Sequence, residues 1–187
     1  MPDPFGSLTI NAALLSDLLM QLAHRGGGVR ESGAFLLSPR DSTGEGRATV
    51  TGFALYDDLD PRSLTGGITF HAEGYTALAA TCRRLGVRVV GDVHTHPRDW
   101  VGQSTTDATH PMSALPGHIA LIAPRYAVGD ITVRDLGAHR HLGGGRWQSY
   151  YRDDVATLLH VTGMRLPRWL RDLTHRLRAV LTSRRSR

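Results

Sequence analysis

The sequence predicts an α/β fold in which helices flank a mixed sheet, and three observations lead to this prediction. Segments with a helical stripe of apolar residues alternate along the chain with short apolar runs that are typical of strands. The 187 residues are enough for one domain with its own hydrophobic core. No Gly-x-Gly-x-x-Gly follows a predicted strand, which argues against a doubly wound nucleotide-binding fold.

The N-terminal part of the chain contains one predicted helix and two predicted strands. Leucines spaced three and four residues apart predict a helix over residues 12–23, and the three glycines at 26–28 terminate it. Apolar runs predict strands over residues 31–37 and 48–56, with the turn-forming residues 38–46 between them.

The alternation continues through the remainder of the chain. A short strand is predicted over residues 68–71, followed by a helix over residues 73–85 that Gly86 closes. The glycines at 143–145 predict a hairpin turn. Further strands are predicted over residues 88–93, 119–123 and 131–136.

The most informative stretch begins directly after one of these strands. His94 and His96 are two residues apart, so on extended backbone both imidazoles point to the same face. Pro97 then ends the strand because it has no N–H to continue a ladder. Ser104, followed three residues later by Asp107, has the form of a capping box that starts a helix. We expect that helix start to return both side chains toward the end of the strand.

Two imidazoles and one carboxylate are the ligands of a catalytic zinc site, which keeps one position open for water. The chain has a single cysteine, Cys82, so a closed structural site made of thiolates is excluded. We therefore predict one zinc ion per chain, held by His94, His96 and Asp107, with a catalytic water whose pKa falls to about 7. A serine nucleophile is disfavoured because Ser104 lacks the Gly-x-Ser-x-Gly elbow.

Together these positions resemble the motif of the JAMM (MPN+, JAB) metalloproteases, and the resemblance extends over residues 8–135. That family also has a glutamate after its first helix, and Glu31 occupies the matching position. The resemblance implies a JAB/MPN fold with a cytidine-deaminase-like sheet. It also implies that Glu31 is the general base and general acid and that Ser104 stabilises the oxyanion.

Each part of the motif has an ordinary structural explanation when it stands alone. Ser-x-x-Asp is more often a helix cap than a metal site, and an isolated Glu31 would be a surface carboxylate. A second pair, His139 and His141, lacks the accompanying residues, and we interpret it as part of a solvated strand or turn. The joint order and spacing of the five positions is what favours the zinc hydrolase.

The resemblance implies an isopeptidase that cleaves after the C-terminal tail of a ubiquitin-like modifier, in precursor processing, in deconjugation or in both. All 22 basic residues are arginine, which indicates a bacterium with a GC-rich genome. Similar bacterial JAB proteins are encoded beside E1- and E2-like proteins in anti-phage operons, so such proteins are expected partners. Two alternatives stay open: a protease of a sulfur-carrier protein's tail, and a non-catalytic scaffold of the same fold.

The composition also bears on the compartment. No run of 18 apolar residues is present, so no transmembrane helix is expected. The first residues lack the basic and apolar regions of a signal peptide. A single cysteine excludes an internal disulfide and fits a reducing environment. We therefore expect a cytoplasmic protein.

We expect a JAB/MPN catalytic domain over residues 1–150 and a basic helical extension over residues 151–187. From Leu166 to Leu181 apolar residues recur at helical spacing, and arginines occupy the opposite face of a helix that begins near Pro167. Such a helix packs on the catalytic domain or docks a partner protein or a second copy. An anionic membrane or nucleic acid is disfavoured as its partner.

Overall fold

A six-stranded mixed sheet forms the centre of the structure, a computed structural model that describes residues 6–41, 46–65 and 67–163. Strands β5 and β6 are parallel, and every other neighbouring pair in this sheet is antiparallel. In spatial order the strands are β4 (Gly52–Leu55), β2 (Gly33–Pro39), β5 (Val87–Thr95), β6 (Ile119–Ala123), β7 (Gly137–Gly143) and β8 (Arg146–Tyr151).

A smaller parallel sheet joins the two ends of the described chain. Its central strand β1 (Ser7–Asn11) pairs with β3 (Arg47–Val50) on one side and with β9 (Leu159–Thr162) on the other. Leu8 on β1 and Leu159 on β9 are paired in register, and both are almost completely buried. The small sheet therefore needs residues from both ends of the fold.

Four α-helices in the described part of the chain connect and cover the strands. The longest, α1, begins after Asn11, whose side-chain oxygen accepts a hydrogen bond of 2.8 Å from the N–H of Ala13. It ends at Gly27, which adopts a left-handed conformation with φ of 59°. Among the described helices none has the length and apolar character needed to cross a bilayer. The helices are α1 (Ala12–Gly26), α2 (Tyr56–Leu59), α3 (Ala72–Leu85) and α4 (Thr105–Thr109).

The large sheet is covered on both faces, so its central strands are apolar on both sides. On one face the leucine stripe of α1 packs with the small sheet against β2, β5 and β6. On the other face Phe35 contacts Tyr56 and Phe70 at ring-centroid distances of 4.8 and 5.1 Å, and α3 adds Leu78 and Cys82. Each fully buried leucine or phenylalanine side chain stabilises the fold by about 1.5–3 kcal/mol.

The predicted α/β architecture, a mixed sheet flanked by helices, is confirmed. Helix α1, helix α3 with its C-terminal Gly86, strand β6 and the hairpin turn after β7 lie where the sequence pattern placed them. The single strand predicted over residues 48–56 is wrong, because the chain leaves the small sheet after β3 and enters the large sheet as β4. Tyr56 already belongs to α2.

Two further predicted strands are also wrong, and in both cases a local polar side chain takes the backbone hydrogen bonds. Residues 68–71 form no strand, because Asp60 accepts a hydrogen bond of 2.9 Å from the N–H of His71. In the segment 131–136, Thr132 and Asp135 form a capping box around a short 3-10 helix. Strands β1, β8 and β9 are not predicted by the sequence pattern, and β7 contains the histidine pair interpreted as part of a solvated strand or turn.

The C-terminal segment of the described chain belongs to the fold. Residues 151–162, which the sequence prediction placed in the extension, form the end of β8, a 3-10 helix over Arg152–Thr157 and strand β9. Val155 and Leu158 are completely buried. The basic helix predicted from Leu166 onward lies outside the described residues, so the division into two domains stays a prediction.

Substitutions in β9 test whether this strand is part of the core. Leu159→Ala should lower the free energy of unfolding by about 2–5 kcal/mol, because it leaves a cavity between the two sheets. Val161→Ala, on the same strand but 36% exposed, should lower it by less than about 1 kcal/mol. Urea denaturation followed by circular dichroism measures both values. Equal effects would contradict the buried position of Leu159.

Candidate metal centre

The two histidines of the motif lie at the end of β5, in the middle of the large sheet. His94 pairs with Gly33 on β2 and with Ile122 on β6, and both His94 and His96 are buried. Thr95 points to the opposite face, where its hydroxyl accepts a hydrogen bond of 3.0 Å from the N–H of Ser32. The alternation expected from the sequence therefore brings both imidazoles to one face of the sheet.

The predicted capping box is present at the start of α4 and fixes the third metal-ligand candidate. The Ser104 hydroxyl oxygen accepts a hydrogen bond of 3.1 Å from the N–H of Asp107, and an Asp107 carboxylate oxygen accepts one of 2.7 Å from the N–H of Ser104. This reciprocal pair holds the Asp107 side chain at the beginning of the helix, directed toward the end of β5.

The three side chains converge to within metal-binding distance of one another. The Nε2 atoms of His94 and His96 are 3.2 Å apart, and Asp107 oxygens lie 3.6 and 3.3 Å from them. Ligand bonds of about 2.0–2.2 Å in a tetrahedral site place neighbouring ligand atoms about 3.3–3.6 Å apart. Among the described residues, this is the group of three that can hold a metal ion.

A hydrogen bond sets the tautomer of His96, the side chain in the middle of this group. Its Nδ1 donates a hydrogen bond of 3.1 Å to the backbone carbonyl of Trp100. In the neutral ring the Nε2 atom therefore carries a lone pair directed at His94 and Asp107. Lone pairs and a carboxylate that face one another at this distance could hold a cation.

The protonation state of the carboxylate also suits a metal ligand. Burial alone would raise the pKa of Asp107, but its interactions with the two imidazoles of His94 and His96 and with Ser104 bring that pKa well below the usual range. Burial lowers the pKa of His96, whereas its hydrogen bonds with Asp107 and the Trp100 carbonyl raise it, and the net direction is upward. Asp107 is consequently ionised at neutral pH.

Glu31 lies immediately before β2 rather than inside it, and it faces the same cleft as the ligand candidates. Burial raises the pKa of its half-buried carboxyl, although His94 and His96 act in the opposite direction. The structure therefore brings together all five positions that the sequence singled out. The cleft has a volume of about 390 Å³ and is lined by Glu31, His96, Pro97, Arg98, Trp100, Ser104 and Asp107.

The loop after His96 is attached to a left-handed turn at the end of β6. Residues Arg125, Tyr126 and Ala127 have φ values of 51°, 54° and 57°, a conformation that costs about 1–3 kcal/mol per non-glycine residue. The N–H of Tyr126 donates to the His96 carbonyl at 2.8 Å, and the N–H of Arg125 donates to the Arg98 carbonyl at 3.1 Å. The turn thus holds the end of the metal-ligand strand.

A buried polar network below the two histidines was not found from the sequence. Asp92, two residues before His94, accepts hydrogen bonds from the Tyr56 hydroxyl at 3.0 Å and from His118 Nε2 at 2.5 Å. Burial and the nearby Asp92 raise the pKa of Tyr56 far above its usual value, so the phenol remains a donor. The network ties β5 to α2 and to the start of β6. The sequence signal that could have indicated this network is Asp92, a single acidic residue within the apolar run that forms β5.

The interpretation of His139 and His141 as solvated is wrong. Both are buried, on β7, because β6, β8 and the loop after His96 cover that strand. His141 packs against Trp147, whose indole N–H donates a hydrogen bond of 3.2 Å to the carbonyl of Ala108 in α4. The pair therefore belongs to the wall behind the cleft.

Comparison with known proteins supports the fold. No family model matches the chain. A protein of Desulfitobacterium hafniense matches with a TM-score of 0.55 at 17% identity, covering 84% of this chain and 94% of its own. A protein from Salinibacter ruber matches with a TM-score of 0.55 at 20% identity, covering 85% and 94%. A JAB1/MPN domain protein from Archaeoglobus fulgidus has a TM-score of 0.46 at 15% identity, covering 83% and 98%.

Metal content tests the assignment of Asp107. Asp107→Ala should reduce bound zinc from about one ion per chain to less than a tenth of that value, because it removes one of three ligands. Asp99→Ala is the control, since Asp99 is an exposed aspartate in the loop that precedes α4. Mass spectrometry of the metal in protein dialysed against excess zinc gives both values. Full zinc content in Asp107→Ala would contradict the assignment.

Proposed function

We propose that this chain is a zinc-dependent peptidase of the JAMM type that hydrolyses the amide bond after the C-terminal tail of a ubiquitin-like modifier. The observation that carries the proposal is one cleft whose lining includes Glu31, Ser104 and two of the three candidate metal ligands, His96 and Asp107. The third candidate ligand, His94, lies beside them. This donor set leaves a coordination position open, which a hydrolase requires and a structural zinc site does not.

The metal's contribution would be Lewis acidity, which lowers the pKa of water and polarises a carbonyl group. The protein's contribution begins with the ligand side chains. The Trp100 carbonyl holds the proton of His96 on Nδ1 and so leaves Nε2 available as a ligand. The capping box orients the Asp107 carboxylate, and the neighbouring imidazoles of His94 and His96 keep its pKa low. Both ligands are therefore ordered by the fold itself.

Glu31 is the group that moves protons in this proposal. As the oxygen of water forms its bond with the carbonyl carbon, the Glu31 carboxylate accepts a proton from that water. It then delivers the proton to the amide nitrogen as the C–N bond breaks, and the products are a carboxylate and an amine. A half-buried carboxyl with a raised pKa exchanges protons near neutral pH more readily than an exposed one.

Ser104 supplies a hydrogen bond to the developing oxyanion. Its oxygen already accepts the N–H of Asp107, and this contact orients the side chain at the start of α4. The hydroxyl hydrogen remains for donation toward the cleft. A donor fixed in this way strengthens its interaction as negative charge grows on the carbonyl oxygen, and it therefore lowers the barrier.

Trp100 gives the cleft its largest apolar surface. The side chain is 57% exposed although its ring stacks on His96 with a centroid distance of 5.3 Å. The indole also packs closely against Gly102, because a Cβ placed on that glycine would lie only 2.7–2.9 Å from indole atoms. An indole that is both fixed and exposed beside the metal group offers a flat surface to an extended substrate tail. We assign it to substrate contact.

The proposed setting is a conjugation pathway in the bacterial cytoplasm, with anti-phage defence as its role and E1- and E2-like proteins as partners. The presence of arginine and the absence of lysine among the basic residues support a bacterial protein. The single, buried cysteine, Cys82, fits a reducing compartment. The same cleft chemistry would serve on a sulfur-carrier protein, so both classes of tail belong in the assay.

Substitution of the proton-transfer group tests the reaction. Glu31→Gln should reduce cleavage of a modifier–reporter fusion by roughly 10²- to 10⁴-fold while zinc content stays at the wild-type value. Ser104→Ala should reduce it by roughly 10²-fold. Glu73→Gln, an exposed glutamate on α3, is the control. A Glu31→Gln protein that cleaves at the wild-type rate would refute the assigned role.

Truncation of the indole tests substrate contact. Trp100→Ala should raise KM by roughly tenfold, because the tail loses an apolar surface, with a smaller change in kcat. Zinc content should stay unchanged, since the hydrogen bond to His96 comes from the backbone carbonyl. Leu115→Ala, at a residue that is 70% exposed and not part of the cleft lining, provides the comparison. An unchanged KM in Trp100→Ala would place the tail elsewhere.

A further inference from the structure

His139 lies on β7, two strands away from the metal-ligand histidines, and it is completely buried. Both of its ring nitrogens have partners. Nε2 lies 2.9 Å from the carbonyl oxygen of Val101, and Nδ1 lies 2.9 Å from the hydroxyl oxygen of Ser149 on β8. Because neither nitrogen is free, His139 is not available as a metal ligand. Any effect of His139 on the site must therefore act through its two hydrogen-bond partners, Val101 and Ser149.

The two partners fix the tautomer of the ring. A carbonyl oxygen only accepts, so Nε2 carries the hydrogen and donates it to Val101. In the neutral ring Nδ1 then accepts a hydrogen bond from the Ser149 hydroxyl. Burial lowers the pKa of His139, which favours this neutral form. One defined donor therefore points from the sheet to the loop that follows His96.

The backbone of that loop lies directly against β7 at the same point. Gly137 has no side chain, and a Cβ placed on it would collide with the carbonyl oxygen of Val101. Its φ is not positive, so the glycine serves close approach rather than an unusual backbone conformation. On β7, the absence of a side chain at Gly137 leaves room for the Val101 carbonyl, and the buried His139 ring donates a hydrogen bond to the same carbonyl.

The residue before Val101, Trp100, contacts one of the candidate metal ligands directly. The carbonyl of Trp100 forms the peptide plane that ends at the nitrogen of Val101, and it accepts the Nδ1 hydrogen of His96 at 3.1 Å. A displacement of Val101 would move this plane and the acceptor in it. His96 would then lose the contact that sets both its ring orientation and its tautomer.

We propose that His139 is a positioning residue for the metal centre, acting through the Val101 carbonyl and the adjacent Trp100 carbonyl on the ring of His96. The proposal rests on the metal site of the proposed function but not on its peptidase activity. The geometry that carries it is a series of two hydrogen bonds joined by one short stretch of backbone.

Four variants of the full chain test the proposal. His139→Leu removes the donor at similar size, and His139→Gln restores an N–H where Nε2 lies. Ser149→Ala removes only the second partner of the ring. Val155→Ala, in the core away from the loop, controls for lost stability. The measurements are Co²⁺ affinity with its visible absorption spectrum, and histidine ¹⁵N NMR of the metal-free protein.

His139→Leu should bind Co²⁺ roughly 10- to 100-fold more weakly than wild type, and its metal-free His96 should lose the single Nδ1–H tautomer. His139→Gln should recover most of the affinity, and Ser149→Ala and Val155→Ala should stay within about threefold of wild type. Equal affinity in His139→Leu and wild type, or an equal loss in Val155→Ala, would overturn the proposal. Wild-type protein that binds Co²⁺ but cleaves no tail would refute the peptidase alone.

Discussion

The geometry of the candidate metal centre depends on the backbone carbonyls between residues 96 and 101, which accept hydrogen bonds from the turn after β6, from the His96 ring and from β7. The carbonyls of His96 and Arg98 accept from the left-handed turn after β6. The carbonyl of Trp100 accepts from the His96 ring, and that of Val101 accepts from His139. A loop held at four acceptors cannot shift without leaving polar groups unpaired, which is costly in a buried position.

The cleft contains two carboxyl groups whose surroundings give them different chemical properties. Asp107 accepts a hydrogen bond from the N–H of Ser104 and lies beside two imidazoles, and these interactions depress its pKa. Glu31 has no such donors among the hydrogen bonds of the described residues, and burial raises its pKa. A permanently charged carboxylate suits binding of a cation, and a titratable one suits proton transfer. The different environments of Asp107 and Glu31 thus give two carboxyl groups in one cleft different pKa values.

The sequence predicted those parts of the site that depend on local geometry, and it missed the parts that depend on distant contacts. Strand alternation placed His94 and His96 on one face, and the capping pattern placed Asp107. Glu31 could be assigned only through a family resemblance, because nothing local connects it with β5. His139 was misjudged because its burial comes from neighbouring strands and a loop that its own segment does not reveal. The strand wrongly predicted over residues 131–136 has the converse cause, a local side-chain hydrogen bond that outweighs an apolar run.

The pairing of β1 with β9 has a consequence for the order in which the chain matures during synthesis. Strand β1 precedes every other described strand in the chain, yet one of its two neighbours is the last described strand. Every strand of the large sheet, and with it the metal group, is translated before Leu159 is available to pair with Leu8. One edge of β1 therefore stays unpaired until β9 has been synthesised, and the pairing of β1 with β9 closes the small sheet after the strands of the large sheet are available.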